Sequence, residues 1–252
     1  MSKEEKKKEL APVAPKEVAV VSEELQDAFG DMGSENVVIP RLIVVQKMSP
    51  EVEDGSAKPG ELFLKGLGMN MGAGPVEIIP IRRDTSRIKW KAMGDGITCR
   101  SKDGRVGVGD PGGQCGICPC PQWSGETPPT CDQYENVLVI LRNDQDTMPF
   151  LLSGNRTNLK SMKILNTLLL QERLKGRPIY TKSYLVGVVR KAKGDHVWWN
   201  YSFRPGNDNK PLPEADQKRA HDIYMRFKDV KLDAANEPVA EEAIPSEEAP
   251  TL

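Results

Sequence analysis

The chain has 252 residues, enough for one large or two small domains, and its 38% hydrophobic and 28% charged residues indicate a soluble protein. It contains no run of about 18 apolar residues, which argues against a membrane-spanning helix. No apolar stretch follows the charged N-terminus, which argues against a secretory signal. We therefore expect a cytoplasmic protein without a membrane partner.

Short β-strands separated by turn residues dominate the predicted secondary structure. Residues 1–35 precede them as an acidic segment that we expect to be mostly disordered, apart from a short helix beginning at Ser22. The predicted strands cover residues 37–46, 61–65, 76–82, 86–92, 136–142, 148–152, 179–189 and 197–203, and the last two form a hairpin. Apolar residues at helical spacing predict helices over 155–175 and 216–228.

All five cysteines lie between positions 99 and 131, inside a Gly- and Pro-rich stretch, residues 92–134, that predicts little regular structure. In a cytoplasmic protein such a cluster favours a zinc thiolate site over disulfides. The two residues between Cys115 and Cys118 give the spacing of a zinc knuckle. We predict one structural Zn²⁺ per chain, with Cys120 left over or replacing Cys118, and with these ligands: Cys99, Cys115, Cys118 and Cys131.

Motifs of enzyme chemistry are missing from the sequence. The Gly-rich segment 66–74 matches neither nucleotide-binding spacing, and a flexible loop explains it better. The two histidines, His196 and His221, lie far from the cysteines in the sequence, which leaves few candidates for acid–base catalysis. We therefore expect a binding protein rather than an enzyme.

The charge of the chain is unevenly distributed, although its net charge is only −1. Residues 1–35 hold five basic and nine acidic residues, and residues 232–252 hold six acidic and no basic ones. Residues 36–231 consequently hold 30 basic and 21 acidic residues. A basic body between acidic ends indicates a polyanion-binding protein, although an ordinary charged surface with solvated ends explains the pattern equally well.

Two predicted strand segments combine basic and aromatic side chains. Strand alternation places Arg87, Lys89 and Lys91 on one face of the first segment. In the second segment it places Trp199 on the core face and Trp198 on the opposite face, where the indole either stacks on a base or packs on the C-terminal helix. The candidate nucleic-acid-binding residues are Arg82, Arg83, Arg87, Lys89, Trp90, Lys91, Tyr184, Arg190, Lys191, Lys193, Trp198 and Arg204.

Short strands, a late helix, a basic aromatic surface and an acidic tail together predict a mainly β (α+β), OB-fold-like barrel. This layout resembles the phage-encoded single-stranded DNA-binding proteins, which include the T4-type helix-destabilising protein with its zinc-bound insertion. The residues that carry the resemblance are the four predicted zinc ligands, the basic strand 87–91, and the tail residues Glu241, Glu242, Ile244, Pro245, Glu247 and Glu248. It implies an OB-fold-like domain over 36–231, with a zinc-binding insertion at 92–134 and a disordered acidic tail at 232–252.

The resemblance implies sequence-independent binding of single-stranded DNA in phage replication or recombination, in the host cytoplasm. Binding through phosphates and stacked bases weakens steeply with salt. The acidic tail is expected to compete with DNA and to dock replication or recombination proteins. Three alternatives stay open: a virion or scaffold-type structural protein, a zinc-containing adaptor that contacts a nucleic-acid enzyme such as RNA polymerase, and a metalloenzyme, for which ligands and acid–base residues are missing. The oligomeric state also stays open.

Overall fold

The computed structural model describes residues 39–91, 96–144, 148–230 and residue 232. Within these ranges the protein is mainly β, as predicted, with eleven strands in one hydrogen-bonded sheet and few helices. None of the described helices is long and apolar enough to cross a membrane. The short helix predicted at Ser22 and the acidic residues after Leu232 lie outside the described residues.

The first half of the described chain consists of strands and one short helix. Their bounds are β1 Arg41–Val44, α1 Pro50–Glu53, β2 Leu62–Lys65, β3 Met69–Gly72, β4 Val76–Trp90, β5 Ile97–Ser101, β6 Val106–Gly109 and β7 Gly113–Gln114. The second half contains the two longer helices. Its elements are β8 Cys131–Leu141, β9 Phe150–Asn155, α2 Leu159–Leu174, β10 Tyr184–Lys193, β11 His196–Pro205 and α3 Glu214–Phe227.

The sheet is built around the 15-residue strand β4. The strand order is β3-β2-β1-β9-β8-β4-β5-β6-β7, with β1 and β9 parallel, and the β10–β11 hairpin joins at β4. One edge of β4 pairs with β8 over most of its length. On the other edge, β10 pairs with residues 76–78 and β5 with residues 87–90. Residues 79–86 therefore have no strand partner on that edge among the described strands.

Each face of the sheet carries its own hydrophobic core. Alternation along β8 sends Val137 and Val139 into the first core, which α2 covers with Met162 and Leu165. The intervening Leu138 and its neighbour Ile140 enter the second core with Ala220 of α3 and with Leu232. Because both faces are covered, β8 reads as a continuous apolar run near its C-terminal end.

The side chain of Gln46 joins the segment after β1 to strand β11. Its Nε2 donates to the carbonyl oxygens of Trp199 (2.8 Å) and Val44 (3.1 Å), and its Oε1 accepts from the Trp199 N–H (3.0 Å). The Tyr201 hydroxyl also donates to the Leu42 carbonyl at 2.6 Å. Strand β11 is thus held against β1 by side chains, because no backbone ladder connects these two strands.

Three secondary-structure predictions were wrong. The strands predicted at 76–82 and 86–92 form the single strand β4, because Asp84 and Thr85 pair with Asn136 and Glu135 of β8 instead of turning. The stretch 92–134 contains β5, β6 and β7, and segment 66–74 contains β3. These short strands lack a buried alternating face, which is the signal that sequence patterns detect.

The Gln46 bridge gives a testable prediction about stability. Replacing Gln46 with Ala leaves the Trp199 backbone N–H and carbonyl without partners, so the free energy of unfolding should fall by about 1–3 kcal/mol. Gln171→Ala, at an exposed position of α2, is the matched control and should change it by less than about 0.5 kcal/mol. Denaturant unfolding followed by circular dichroism measures both values, and equal effects would show that the bridge contributes nothing.

Candidate metal centre and basic groove

All five cysteines line one small pocket, of about 20 Å³, over one face of β4. Strand register places Cys99 of β5 and Cys131 of β8 directly opposite Lys89, one on each side of it. Residues that pair directly across strands share a sheet face, so both sulfurs belong to the same side as Lys89. The remaining thiols come from the loop after β7, and they are Cys115, Cys118 and Cys120.

Gly107 of β6 makes room for two of these sulfurs. A Cβ atom built on this buried glycine lies 2.9 Å from Cys99 Sγ and 3.8 Å from Cys115 Sγ. Sulfur and carbon do not approach to 2.9 Å without repulsion, so a side chain at position 107 displaces Cys99. The pocket therefore depends on glycine at this position.

The environment of Cys131 keeps its thiol protonated in the absence of an ion. Burial raises the pKa of Cys131 to about 11, the positive charge of Arg87 opposes this rise, and Cys115, Cys99 and Cys118 add to it. Cys131 and three other thiols of the pocket are therefore close enough to interact electrostatically.

No group of three or more His, Cys, Asp or Glu side chains among the described residues is arranged to hold a metal ion. A physical reason is the position of Cys99 and Cys131 on the two strands that flank β4. Strands lie about 4.8 Å apart, so the Cα atoms of these two cysteines are separated by about 10 Å. Shared coordination requires their sulfurs to lean toward each other over Lys89.

Arg87 and Lys89 line the cysteine pocket instead of facing solvent as a nucleic-acid surface. Arg87 Nη2 donates to Gln133 Oε1 at 3.1 Å, whereas Arg87 Nε is buried without a hydrogen-bond partner among the described residues. Lys89 Nζ lies 3.4 Å from the Asp110 carbonyl oxygen. The next two predicted contact residues are a half-buried Trp90 and an exposed Lys91.

Arg82 and Arg83 point to different sides of β4. Arg82 donates to carbonyl oxygens at and just after the C-terminal end of α3, at Phe227, Lys228 and Val230, and it pairs with Asp84. Arg82 therefore anchors the C-terminal end of α3. Arg83 pairs with Glu135, but 41% of its side chain is exposed.

The β10–β11 hairpin separates its predicted contact residues into core and surface positions. Tyr184 is buried in the first core, where burial raises its pKa to about 12. Tyr201 is also buried there, and Trp199 and Phe203 pack against that core, as the alternation predicts. Trp198 is half-buried on the opposite face and lies across from Lys191. Its Nε1 is buried and has no hydrogen-bond partner among the described residues.

Four predicted cations of the hairpin are exposed: Arg190, Lys191, Lys193 and Arg204. Register places Lys191, Lys193 and Arg204 on the face of Trp198, and Arg190 opposite Trp199 on the other face. The structure therefore places only some of the predicted nucleic-acid-binding residues on one face of the hairpin.

A groove follows the edge of β4 that has no strand partner. One part, of about 670 Å³, lies between β4 and the two longer helices and includes Arg83, Arg173, Tyr180 and Tyr224 in its walls. The adjoining part, of about 380 Å³, shares Arg82 and Arg83 with the first and is completed by the β5–β6 turn. The charged residues that this turn contributes are Lys102, Asp103 and Arg105.

Sequence reasoning missed three exposed cations of this groove, Lys102, Arg105 and Arg173. Lys102 and Arg105 belong to a turn without periodic pattern, and Arg173 stands on the exposed side of a helix, so only the fold brings them together. It also missed Trp123, which is 67% exposed in the cysteine-rich loop. An aromatic residue in a Gly/Pro-rich segment without apolar neighbours at strand or helix spacing was the one available signal.

Comparison with known proteins identifies a phage family. The family model of the Pam3 phage gp34-like protein matches residues 6–108 and 121–233. The matched ranges include Cys99 and Cys131, whereas Cys115, Cys118 and Cys120 fall in the unmatched segment 109–120. Neither the curated proteins nor the solved structures contain a match to the chain. Because the family match covers most of its length, the chain belongs to the Pam3 phage gp34-like protein family.

Proposed function

We propose that this phage protein binds single-stranded DNA without sequence preference, in DNA replication or recombination. The observation that carries the proposal is the groove along the open edge of β4, with exposed cations from three separate elements. Lys102 and Arg105 come from the β5–β6 turn, Arg173 from α2 and Arg83 from β4. Cations that converge from distant parts of the sequence favour a polyanionic ligand over incidental surface charge.

The same groove offers aromatic rings beside its cations. The Tyr180 and Tyr224 rings lie 6.1 Å apart between centroids, and the Tyr180 hydroxyl is hydrogen-bonded to His221 Nδ1 at 2.9 Å. Stacking of an unpaired base on an aromatic ring contributes about 1–3 kcal/mol and tolerates every base. A duplex keeps its bases stacked internally, so this contribution favours single strands.

Two carboxylates of the groove, Asp84 and Asp103, are engaged by the protein itself. Asp84 pairs with Arg82. Hydrogen bonds from the Arg105 and Val106 backbone N–H groups, together with the Ser101 hydroxyl, lower the pKa of Asp103 to about 2. Arg82 offsets the charge of Asp84, whereas Asp103 stays ionised because neutral donors hold its carboxylate. One uncompensated carboxylate therefore stands against the three exposed cations that a phosphate meets, Lys102, Arg105 and Arg173.

The proposal treats the described body as an OB-fold-like barrel. The antiparallel β1–β2–β3 meander, the helix α2 before the last hairpin and the return of β11 to β1 through Gln46 support this comparison. The OB-fold is a recurrent single-strand binder whose partly open barrel exposes a binding face. On the hairpin, Lys191, Lys193 and Arg204 form a second basic surface that extends the footprint.

Binding to a labelled oligo-dT, followed by fluorescence anisotropy, tests the proposal. The triple variant Lys102→Gln, Arg105→Gln, Arg173→Gln removes three phosphate contacts. The slope of log K against log salt concentration is negative, and each contact to a single strand contributes about −0.7 to it. Removal of three contacts should therefore reduce the magnitude of the slope by about 2. The charge-matched control, Lys47→Gln, Lys58→Gln, Lys218→Gln, changes three exposed lysines outside both surfaces and should leave the slope unchanged.

A third variant, Lys191→Gln, Lys193→Gln, Arg204→Gln, separates the groove from the hairpin. If the salt dependence of binding weakens in the hairpin variant alone, the binding site is the hairpin and not the groove. No binding of oligo-dT at low salt, or equal affinity for duplex of the same length, would overturn the function. That result would favour the structural or adaptor alternative.

The proposal includes competition by the acidic residues that follow Leu232. Leu232 is buried in the second core, its N–H is hydrogen-bonded to Asp84, and its carbonyl accepts from Asn136 Nδ2 at 3.5 Å. Asp84 lines the groove beside Lys102 and Arg105. Leu232 therefore lies beside the proposed DNA site. The proposal is that the six acidic residues that follow it in the sequence compete with DNA and dock replication or recombination proteins.

Truncation after Leu232 should strengthen DNA binding at low salt while it keeps the buried leucine in place. If the acidic segment occupies the groove in about nine of ten free molecules, its removal raises the apparent affinity about tenfold. The matched control keeps the length but replaces the six acids with Asn or Gln, and it should match the truncation. Unchanged oligo-dT affinity in both variants would contradict competition.

A further inference from the structure

We propose that the cysteine pocket binds one Zn²⁺ through the thiolates of Cys99, Cys115, Cys118 and Cys131, and that Arg87 and Lys89 balance the charge of this centre. The metal site is independent of the proposed DNA groove, because none of the six residues is required there. It assigns Arg87 and Lys89 to the metal centre instead of to nucleic acid.

The fold brings the four cysteines to one pocket, and binding of the ion would draw their sulfurs together. Cys99 and Cys131 are fixed opposite Lys89 by the pairing of β4 with β5 and β8. Cys115 reaches the same place because Gly107 has no side chain between it and Cys99. Cys115 and Cys118 then enter with the two-residue spacing that lets adjacent thiolates face one ion.

Cys120 serves the loop through its backbone. Its carbonyl oxygen accepts from the N–H groups of Thr130 (3.0 Å) and Cys131 (3.2 Å), and these bonds return the loop to β8. This anchoring places Cys120 at the pocket without requiring its sulfur as a ligand. The knuckle spacing therefore leaves Cys118, two residues earlier, as the fourth donor.

Charge explains the presence of two cations in a pocket otherwise formed by thiols, glycines, prolines and one serine. A divalent ion with four thiolates carries a net charge of −2, and such a charge in a partly buried site needs compensation. Arg87 and Lys89 are the two cationic residues that line this pocket. Their two positive charges equal in size the net charge of −2 on a four-thiolate Zn²⁺ site.

The unpartnered Arg87 Nε supplies an independent observation. A buried N–H donor without an acceptor costs about 1–3 kcal/mol, so native structures rarely retain one. Arg87 Nη2 is satisfied by Gln133, whereas Nε is buried beside the thiols with no acceptor. A thiolate sulfur is a better acceptor than a thiol, and N–H donation to metal-bound sulfur is a typical outer-sphere interaction.

Metal analysis of the full chain, purified under reducing conditions, tests the site directly. We expect about one zinc per chain and, after exchange, the absorption bands of a tetrahedral four-thiolate Co²⁺ centre. Cys115→Ser should lose the metal, whereas Cys120→Ser should keep it. Gly107→Ala should lower the zinc content, whereas Gly116→Ala, where a Cβ meets nothing within 4 Å, should not.

The role of the two cations has its own readout. Arg87→Gln and Lys89→Gln should release zinc to a chromogenic chelator about tenfold faster or more, the size typical of lost outer-sphere partners. Lys218→Gln, at an exposed position outside both the pocket and the groove, is the control and should release it at the unmodified rate. Oligo-dT binding, measured on the same variants, separates failure of the metal site from failure of the DNA site.

Three results would overturn the proposal. Less than half an equivalent of zinc per chain, both as purified and after reconstitution with Zn²⁺ alone, would refute the metal site. Loss of metal in Cys120→Ser, with retention in Cys118→Ser, would show that Cys120 and not Cys118 is the fourth ligand. Release rates of Arg87→Gln and Lys89→Gln equal to that of Lys218→Gln would refute charge compensation.

Discussion

The backbone ladder between β4 and β8 is the interaction on which the rest of the structure depends. It spans eleven residue pairs and fixes which side chains of β4 face each core and which face the cysteine pocket. A slip of one residue would exchange the two faces, so it would bury Arg87 and expose Ile88. The same ladder leaves the opposite edge of β4 open between β10 and β5, and that opening is the groove.

The fold divides one basic sequence segment among three tasks. Arg82 binds the carbonyl oxygens after α3, Arg83 faces the groove, and Arg87 and Lys89 face the thiols. The number of basic residues in this segment is consequently larger than the number that can contact a polyanion. The groove gains its remaining cations from Lys102, Arg105 and Arg173, which are distant in sequence.

The sequence was most informative where a periodic pattern meets a core. Alternation identified the buried side of β11, and helical spacing identified Met162 and Leu165 of α2. It failed where tertiary pairing overrides local signals, as at Asp84 and Thr85, which look like turn residues but continue β4. The spacing of the cysteines predicted their common location, whereas the groove depends on a missing strand partner, which no local pattern encodes.

Photo-crosslinking of an iododeoxyuridine-substituted single-stranded oligonucleotide, with mass spectrometry of the adducts, tests the central claim most directly. Single-strand binding in the groove predicts adducts on Tyr180 and Tyr224, because these rings stand beside its cations. The adducts should disappear as the salt concentration rises, since the phosphates hold the strand in place. Adducts confined to Trp123 in the cysteine-rich loop, or no adducts at low salt, would contradict the account.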